Sequence, residues 1–257
     1  MHLDVVELKA FYASHLGGIV RRILANRIRA RWRRANGLVV MGIGFASPYL
    51  GSYRGEATRL AVLMPASQGA LVWPANGPAQ AVLVDEEQLP LPDNSVDRML
   101  AVHCLEVSEG ARPLLRELWR VLAPEGRILL VVPNRMGLWA RREATPFGHG
   151  QPYSRAQLDR LLHDALFTPL EWSTALHMPP INHRWLVRWA TAFERMGARF
   201  WPGFAGVLMV EAQKQTTAPI GRAEVVRRAG RMVPVSGNGV RRDAPDSQLS
   251  DVSHRSA

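Results

Sequence analysis

One stretch of ten residues, Gly37-Leu-Val-Val-Met-Gly-Ile-Gly-Phe-Ala46, constrains the fold more than any other: an uncharged apolar run ends in Gly-x-Gly. A run of this kind reads as a strand covered on both faces, and so as a member of a parallel sheet. The glycines let the chain turn sharply at the carboxyl end of the strand and allow a ligand close to the backbone. Similar short apolar runs recur at residues 60–64, 81–84, 98–102, 128–132 and 206–212.

Helix signals lie between several of these runs. Residues 113–122 read as a helix with Pro113 in its first turn, ended by Ala123-Pro124-Glu125-Gly126. Ser154-Arg-Ala-Gln157 is a capping-box pattern that opens a helix to about Leu166, and a further helix is expected over residues 184–196. Strands alternating with helices of this length predict an open, doubly wound α/β sheet. Ahead of it, apolar residues at three- to four-residue spacing over 4–35 predict two helices, with Gly17-Gly18 as a hinge.

The net charge of +10 is not a property of the α/β segment. Residues 21–34 carry seven Arg and no acid, residues 216–257 carry seven Arg and four acids, and the remainder is neutral. No nucleic-acid-binding motif accompanies this charge, so nucleic acid is not an expected partner. The Arg21–Arg34 stretch would attract an anionic surface weakly. From Thr216 the apolar period dissolves into Gly, Ser, Pro, Asp and Arg, and residues 215–257 are expected to be disordered. The organisation expected is therefore N-terminal helices over 1–36, joined to an α/β domain over 37–214, and a basic tail over 215–257.

Cys104 is the only cysteine, which excludes an intramolecular disulfide and any multi-cysteine metal site and suits a reducing compartment. No metal site is expected. No apolar run approaches the roughly 18 residues that a spanning helix needs, and the first residues do not read as a secretory leader. A cytoplasmic protein is the expectation.

Two further stretches carry a family resemblance. The first is Val82-Leu-Val-Asp85-Glu-Glu-Gln-Leu89-Pro90-Leu91-Pro92-Asp93-Asn94-Ser95-Val96-Asp97. The second is Glu117-Leu-Trp-Arg120-Val121-Leu122-Ala-Pro124-Glu-Gly126. With the glycine turn, they resemble the class I S-adenosylmethionine-dependent methyltransferases, the type 11 group in particular. The resemblance implies a Rossmann-like, mostly parallel seven-stranded sheet, S-adenosylmethionine as cofactor, and methyl transfer to a small-molecule or apolar acceptor. It implies that Gly42 and Gly44 form the turn beneath the methionine part of the cofactor. Met64 would lie at the end of the second strand, Asp85 at the adenine with Glu86 beside it, and Val102 and His103 in the cleft. A proton acceptor, where the chemistry needs one, would be His103, His149 or Tyr153.

The chain also departs from that family. Val40 occupies the position two residues before the first glycine, where an acid usually holds the methionine ammonium. The second strand ends Leu63-Met64-Pro65, with no acid for the ribose. Two of the three usual cofactor carboxylates are thus absent. Charged hydrogen bonds contribute about 1.5–3 kcal/mol each, so a non-catalytic binding or scaffold protein of the same fold is the alternative reading. A nicotinamide-dependent oxidoreductase fits worse, because Gly42-Ile-Gly44-Phe-Ala46 lacks a third glycine and no acid follows about 20 residues on.

Overall fold

The structure is a computed structural model, and it describes residues 3–181 and 190–216. A seven-stranded sheet forms its centre. The strands are β1 (Val39–Gly44), β2 (Arg59–Pro65), β3 (Ala81–Val84), β4 (Val96–Val102), β5 (Leu122–Pro133), β6 (Phe167–Ala175) and β7 (Val207–Lys214). Their order is β3-β2-β1-β4-β5-β7-β6. β1 to β5 pair in parallel, while β7 runs antiparallel between β5 and β6. This is the doubly wound, mostly parallel sheet that the apolar runs predict.

The helices are α1 (Val5–Ala13), α2 (His15–Arg31), α3 (Ser47–Leu50), α4 (Ala111–Val121), α5 (Arg155–Asp164) and α6 (Ala190–Phe200). The expected helix over 184–196 begins among residues that lie outside the description, and α6 is its described part. The basic tail from residue 217 onward likewise lies outside it. Two buried clusters cover the two faces of the sheet. On one, Val40, Val62, Leu100 and Leu129 meet α1 and α2 through Leu8, Val20, Leu24 and Ile28. On the other, Ile43, Leu63, Met99 and Ile128 meet α4 and α5 through Leu115, Leu118, Leu158 and Leu162.

Local signals explain most boundaries. The capping box at Ser154 forms in full: its hydroxyl accepts from Gln157 N, and the Gln157 side chain accepts from Ser154 N. In α4 and the turn before β4, Arg120 acts as a clamp. Its guanidinium donates to Glu117, to Asp93 at 2.5 Å and to the carbonyls of Leu89 and Leu91 at 3.0 Å, while Glu117 accepts from Leu89 N at 2.8 Å. The Glu-x-x-Arg pattern of the family therefore ties the Leu-Pro turn to α4 here.

The hinge between the first helices is not at Gly17-Gly18. The helix breaks at Ser14, whose backbone is extended and whose hydroxyl accepts from Gly17 N at the start of α2. Both glycines lie inside α2. A Cβ on Gly17 would lie 1.9 Å from the Phe11 carbonyl oxygen, so this glycine is needed where the two helices touch. Strand β6 had no expected counterpart in the sequence. It is an edge strand interrupted by Pro169, with a register shift between Pro169 and Glu171, features that blur the period of two.

In α2 the stripe of Leu16, Val20, Leu24 and Ile28 is buried, and two of its five arginines are held in ion pairs, Arg29 with Glu56 and Arg31 with Glu171. None of the described helices is long and apolar enough to cross a membrane.

Candidate functional site

The strand order reverses between β1 and β4. From β1 the chain winds outward to β2 and β3, then crosses back to β4 and β5 on the other side. In an open α/β sheet the ligand crevice lies beyond the carboxyl ends of the strands at this reversal. Gly44 sits at its floor with φ of +74°, and Phe45 N donates to Val102 O at 2.8 Å, which joins the two strand ends. A Cβ on Gly44 would lie 2.4 Å from the Val102 carbonyl oxygen, so no other residue fits the turn. Gly42 is needed for a different contact, since a Cβ there would lie 2.6 Å from both Ala46 and Leu50.

His103 follows β4 directly and is fully buried, with a left-handed φ of 49°. Such a conformation is uncommon outside glycine and concentrates at functional positions. Its Nδ1 lies 3.2 Å from Glu106 Oε1 and its Nε2 2.9 Å from the Tyr12 hydroxyl. The Tyr49 hydroxyl in turn donates to the Tyr12 oxygen at 2.9 Å. A single proton order satisfies the whole chain: Tyr49 to Tyr12, Tyr12 to His103 Nε2, and His103 Nδ1–H to Glu106. Glu106 Oε2 is buried and has no hydrogen-bond partner among the described residues.

Aromatic rings enclose this chain. Tyr12 stacks on Phe45 with centroids 5.4 Å apart, Phe147 lies 4.7 Å from the His103 ring, and Trp139 meets Phe147 edge-on at 5.5 Å. Gln68 donates from Nε2 to the His103 carbonyl at 2.5 Å, and its own carbonyl accepts from Val5 N at 2.8 Å. Helix α1 thus crosses the crevice, pinned at its start to Gln68 and at its end to His103. Burial pushes the Tyr12 phenol well above its ordinary range, reinforced by Tyr49 and by the Glu106 charge; burial likewise raises Tyr49 and Cys104.

Of the residues singled out in the sequence, Gly42, Gly44, Val102 and His103 converge at the reversal. Met64 is buried in β2, its sulfur receiving Leu71 N at 3.2 Å. Glu86 accepts from the Ser108 hydroxyl at 2.6 Å. Asp85 is exposed and accepts from Glu87 N at 2.9 Å; it borders a shallow depression with Gln88, Leu89, Glu117 and Arg120, which holds no residue of the glycine turn. His149 lies near the surface, bonded through Nε2 to the Glu143 carbonyl at 2.7 Å. Tyr153 is buried, its hydroxyl donating to the Leu105 carbonyl at 3.2 Å, and burial pushes it up to about 12, helped by the Glu106 and Cys104 charges.

Sequence reasoning missed Tyr12, Tyr49 and Glu106. The i, i+3 spacing of His103 and Glu106 was a legible signal for one of them. Nothing in the pattern of α1 singles out Tyr12.

Residues 39–130 match the family model of the methyltransferase domain. No curated protein matches by sequence. Among solved structures, the chain is similar to a putative methyltransferase in complex with the Trm112 activator from Haloferax volcanii. The identity is 20% and the TM-score 0.58, over 81% of this chain and 98% of that one. It is similar to an S-adenosylmethionine-dependent methyltransferase from Mesorhizobium loti at 13% identity and TM-score 0.53, over 74% and 96% of the two chains. It is also similar to the cyclase SpnF, at 21% identity and TM-score 0.53, over 77% and 81%.

In this arrangement α1 and its aromatic neighbours close over the strand reversal. Tyr12, Phe45, Gln68, His103 and Phe147 pack together at the ends of β1 and β4, and each is buried. Val40, in the place of the usual acid, is buried against the helices. The floor and the strand reversal nevertheless remain those of the family. Residues 39–130 carry a methyltransferase domain, and the sheet has the Rossmann-like order of the class I methyltransferase fold, whose members use S-adenosylmethionine as cofactor.

Proposed function

We propose that this chain methylates a small, apolar acceptor in the crevice beneath α1, and that α1 swings aside about Ser14 to open it. The observation that carries this reading is the aromatic wall around one buried polar pair. Phe147 lies against His103 with Trp139 behind it, and Phe45 stacks on the Tyr12 ring that caps the same imidazole, so an acceptor entering there meets apolar faces and one imidazole held by Glu106. Glu106 holds the proton on Nδ1 and leaves Nε2 as the acceptor, now used by Tyr12. Once α1 moves, Nε2 is free to take a proton from a hydroxyl or amine. His103 is therefore the proposed base and Glu106 its positioning residue. His149 and Tyr153 stand apart from this centre, each bonded to a backbone carbonyl.

A non-catalytic binding role is the second reading, and the covered crevice together with Val40 supports it. Calorimetric titration of the full chain with S-adenosylmethionine and S-adenosylhomocysteine separates the two, with Gly44→Val as the comparator. Micromolar binding that Gly44→Val abolishes supports the enzyme. No detectable binding at millimolar ligand overturns it in favour of the binding role.

A further inference from the structure

Six of the twelve large apolar side chains exposed among the described residues fall on two short segments: Met136 and Leu138 after β5, and Met196, Phe200, Trp201 and Phe204 at the end of α6 and beyond. Each is at least half exposed, and Phe200 reaches 63%. Soluble surfaces scatter such residues singly, so their concentration in one region marks an interaction site.

The two segments are held against each other. Asn134 donates from Nδ2 to the carbonyls of Gly203 and Ala205 at 3.0 and 2.8 Å. Asn134 N donates to Gly206 O at 2.9 Å, and a Cβ on Gly137 would lie 2.3 Å from the Ala205 carbonyl oxygen. The Phe200 and Trp201 rings lie 6.0 Å apart. The patch is therefore built on the sheet, at the end where Pro133 pairs with Val207.

Its charge is predominantly positive. Arg135, Arg141, Arg142, Arg195 and Arg199 lie on these segments, all exposed, and residues 134–142 and 195–206 contain no acid. The nearest acid on α6, Glu194, is buried and accepts from His177 N at 2.5 Å. Aromatic and Met tips on segments that carry five exposed arginines, with one exposed carboxylate at their margin, Glu143, match an anionic bilayer surface. There the rings enter the headgroup boundary and the guanidiniums meet lipid phosphates. A protein partner would have to offer mainly acids around an apolar centre.

We propose that this face docks on the surface of an anionic phospholipid membrane, with Phe200, Trp201 and Phe204 inserting and Arg135, Arg195 and Arg199 meeting the headgroups. The docked surface is distinct from the arginine face of α2.

The test is cosedimentation of the full chain with vesicles of phosphatidylcholine alone and of phosphatidylcholine mixed with phosphatidylglycerol. Three variants are compared: Trp201→Ser with Phe204→Ser, Arg195→Glu with Arg199→Glu, and Arg21→Glu with Arg22→Glu on α2. All of these side chains are exposed, and far-ultraviolet circular dichroism checks that each variant folds. The expected result is binding to the mixed vesicles only, weakened about tenfold or more by either patch variant and little by the α2 variant. Three results overturn the proposal. One is no vesicle binding. Another is binding lost in the α2 variant and kept in both patch variants. The third is self-association in sedimentation equilibrium that Trp201→Ser with Phe204→Ser abolishes, which would assign the patch to a second copy of the chain.

Discussion

The Tyr12 hydroxyl lies 2.9 Å from Nε2 of His103, across 91 residues of sequence, and this bond fastens α1 over the strand reversal. Tyr12→Phe keeps the ring stacked on Phe45 and removes the hydroxyl from two hydrogen bonds at once. Both His103 Nε2 and the Tyr49 hydroxyl then lose a buried partner, at a cost of about 1–3 kcal/mol. Urea denaturation should show that loss. Because the cost falls on the closed arrangement alone, the same change should raise the population with α1 displaced. S-adenosylmethionine should then bind about 5- to 100-fold more tightly to Tyr12→Phe than to the wild type. Weaker binding by the variant would mean that Tyr12 contacts the ligand and that α1 is not a barrier to it.

All four tyrosines of the chain are held protonated beyond their ordinary range. Burial raises Tyr53 to about 12, partly offset by the Arg29 charge, and raises Tyr153 to about 12; Tyr12 and Tyr49 are raised as well. In each case the folded form binds its proton more tightly than the unfolded chain does, whose phenols ionise near about 10. The resulting stability is complete below about pH 10 and falls as pH rises through the folded values. Phenolate absorbance should therefore stay low past about pH 10 and then appear together with loss of the circular dichroism signal. A smooth titration of one or more tyrosines near pH 10 in the folded protein would contradict this.

The two neighbouring glycines of α2 should respond oppositely to alanine. Gly18 has nothing within 4 Å of a built Cβ. Gly18→Ala should therefore stabilise by about 0.5–1 kcal/mol through helix propensity and the unfolded state. At Gly17 a Cβ would lie 1.9 Å from the Phe11 carbonyl oxygen and 2.7 Å from Tyr12 Cα. Gly17→Ala should destabilise by about 1–3 kcal/mol, since backbone must shift. Thermal melts of the two variants, moving in opposite directions, are the check.

That pair shows what the sequence could and could not convey. Two adjacent glycines in a helical period read as a hinge from propensity alone. The fold uses one of them for a helix contact and places the break at Ser14, where the capping hydroxyl was the better signal. The parallel core was legible because each central strand is an apolar run closed by a turn. β6 was not, because an edge strand carrying Pro169 and Glu171 has no clean period. The site was half legible: Gly44, Val102 and His103 follow from the strand ends. Tyr12 and Glu106 become visible only when α1 is laid across the sheet, a tertiary placement that no local pattern encodes.

The most recognisable motif of the chain should prove structural when tested. Arg120 joins Glu117, Asp93 and the carbonyls of Leu89 and Leu91, and its side chain is one-third exposed. A lysine retains the charge but has no planar fork to reach both carbonyls and both acids. Arg120→Lys should cost about 1–2 kcal/mol, the value being reduced by partial exposure to solvent. Its hydrogen bond from Arg120 holds the Glu117 carboxyl below the usual range, with a smaller contribution from Leu89 N against the opposing effect of burial. A carboxyl with a depressed folded value contributes stability above its unfolded value of about 4.3, and this is lost as pH falls through the folded value. The gap in melting temperature between wild type and Arg120→Lys should therefore be full at neutral pH and narrow in acid below about pH 4. A gap that is constant across that range would show that the Glu117 charge contributes nothing to the clamp.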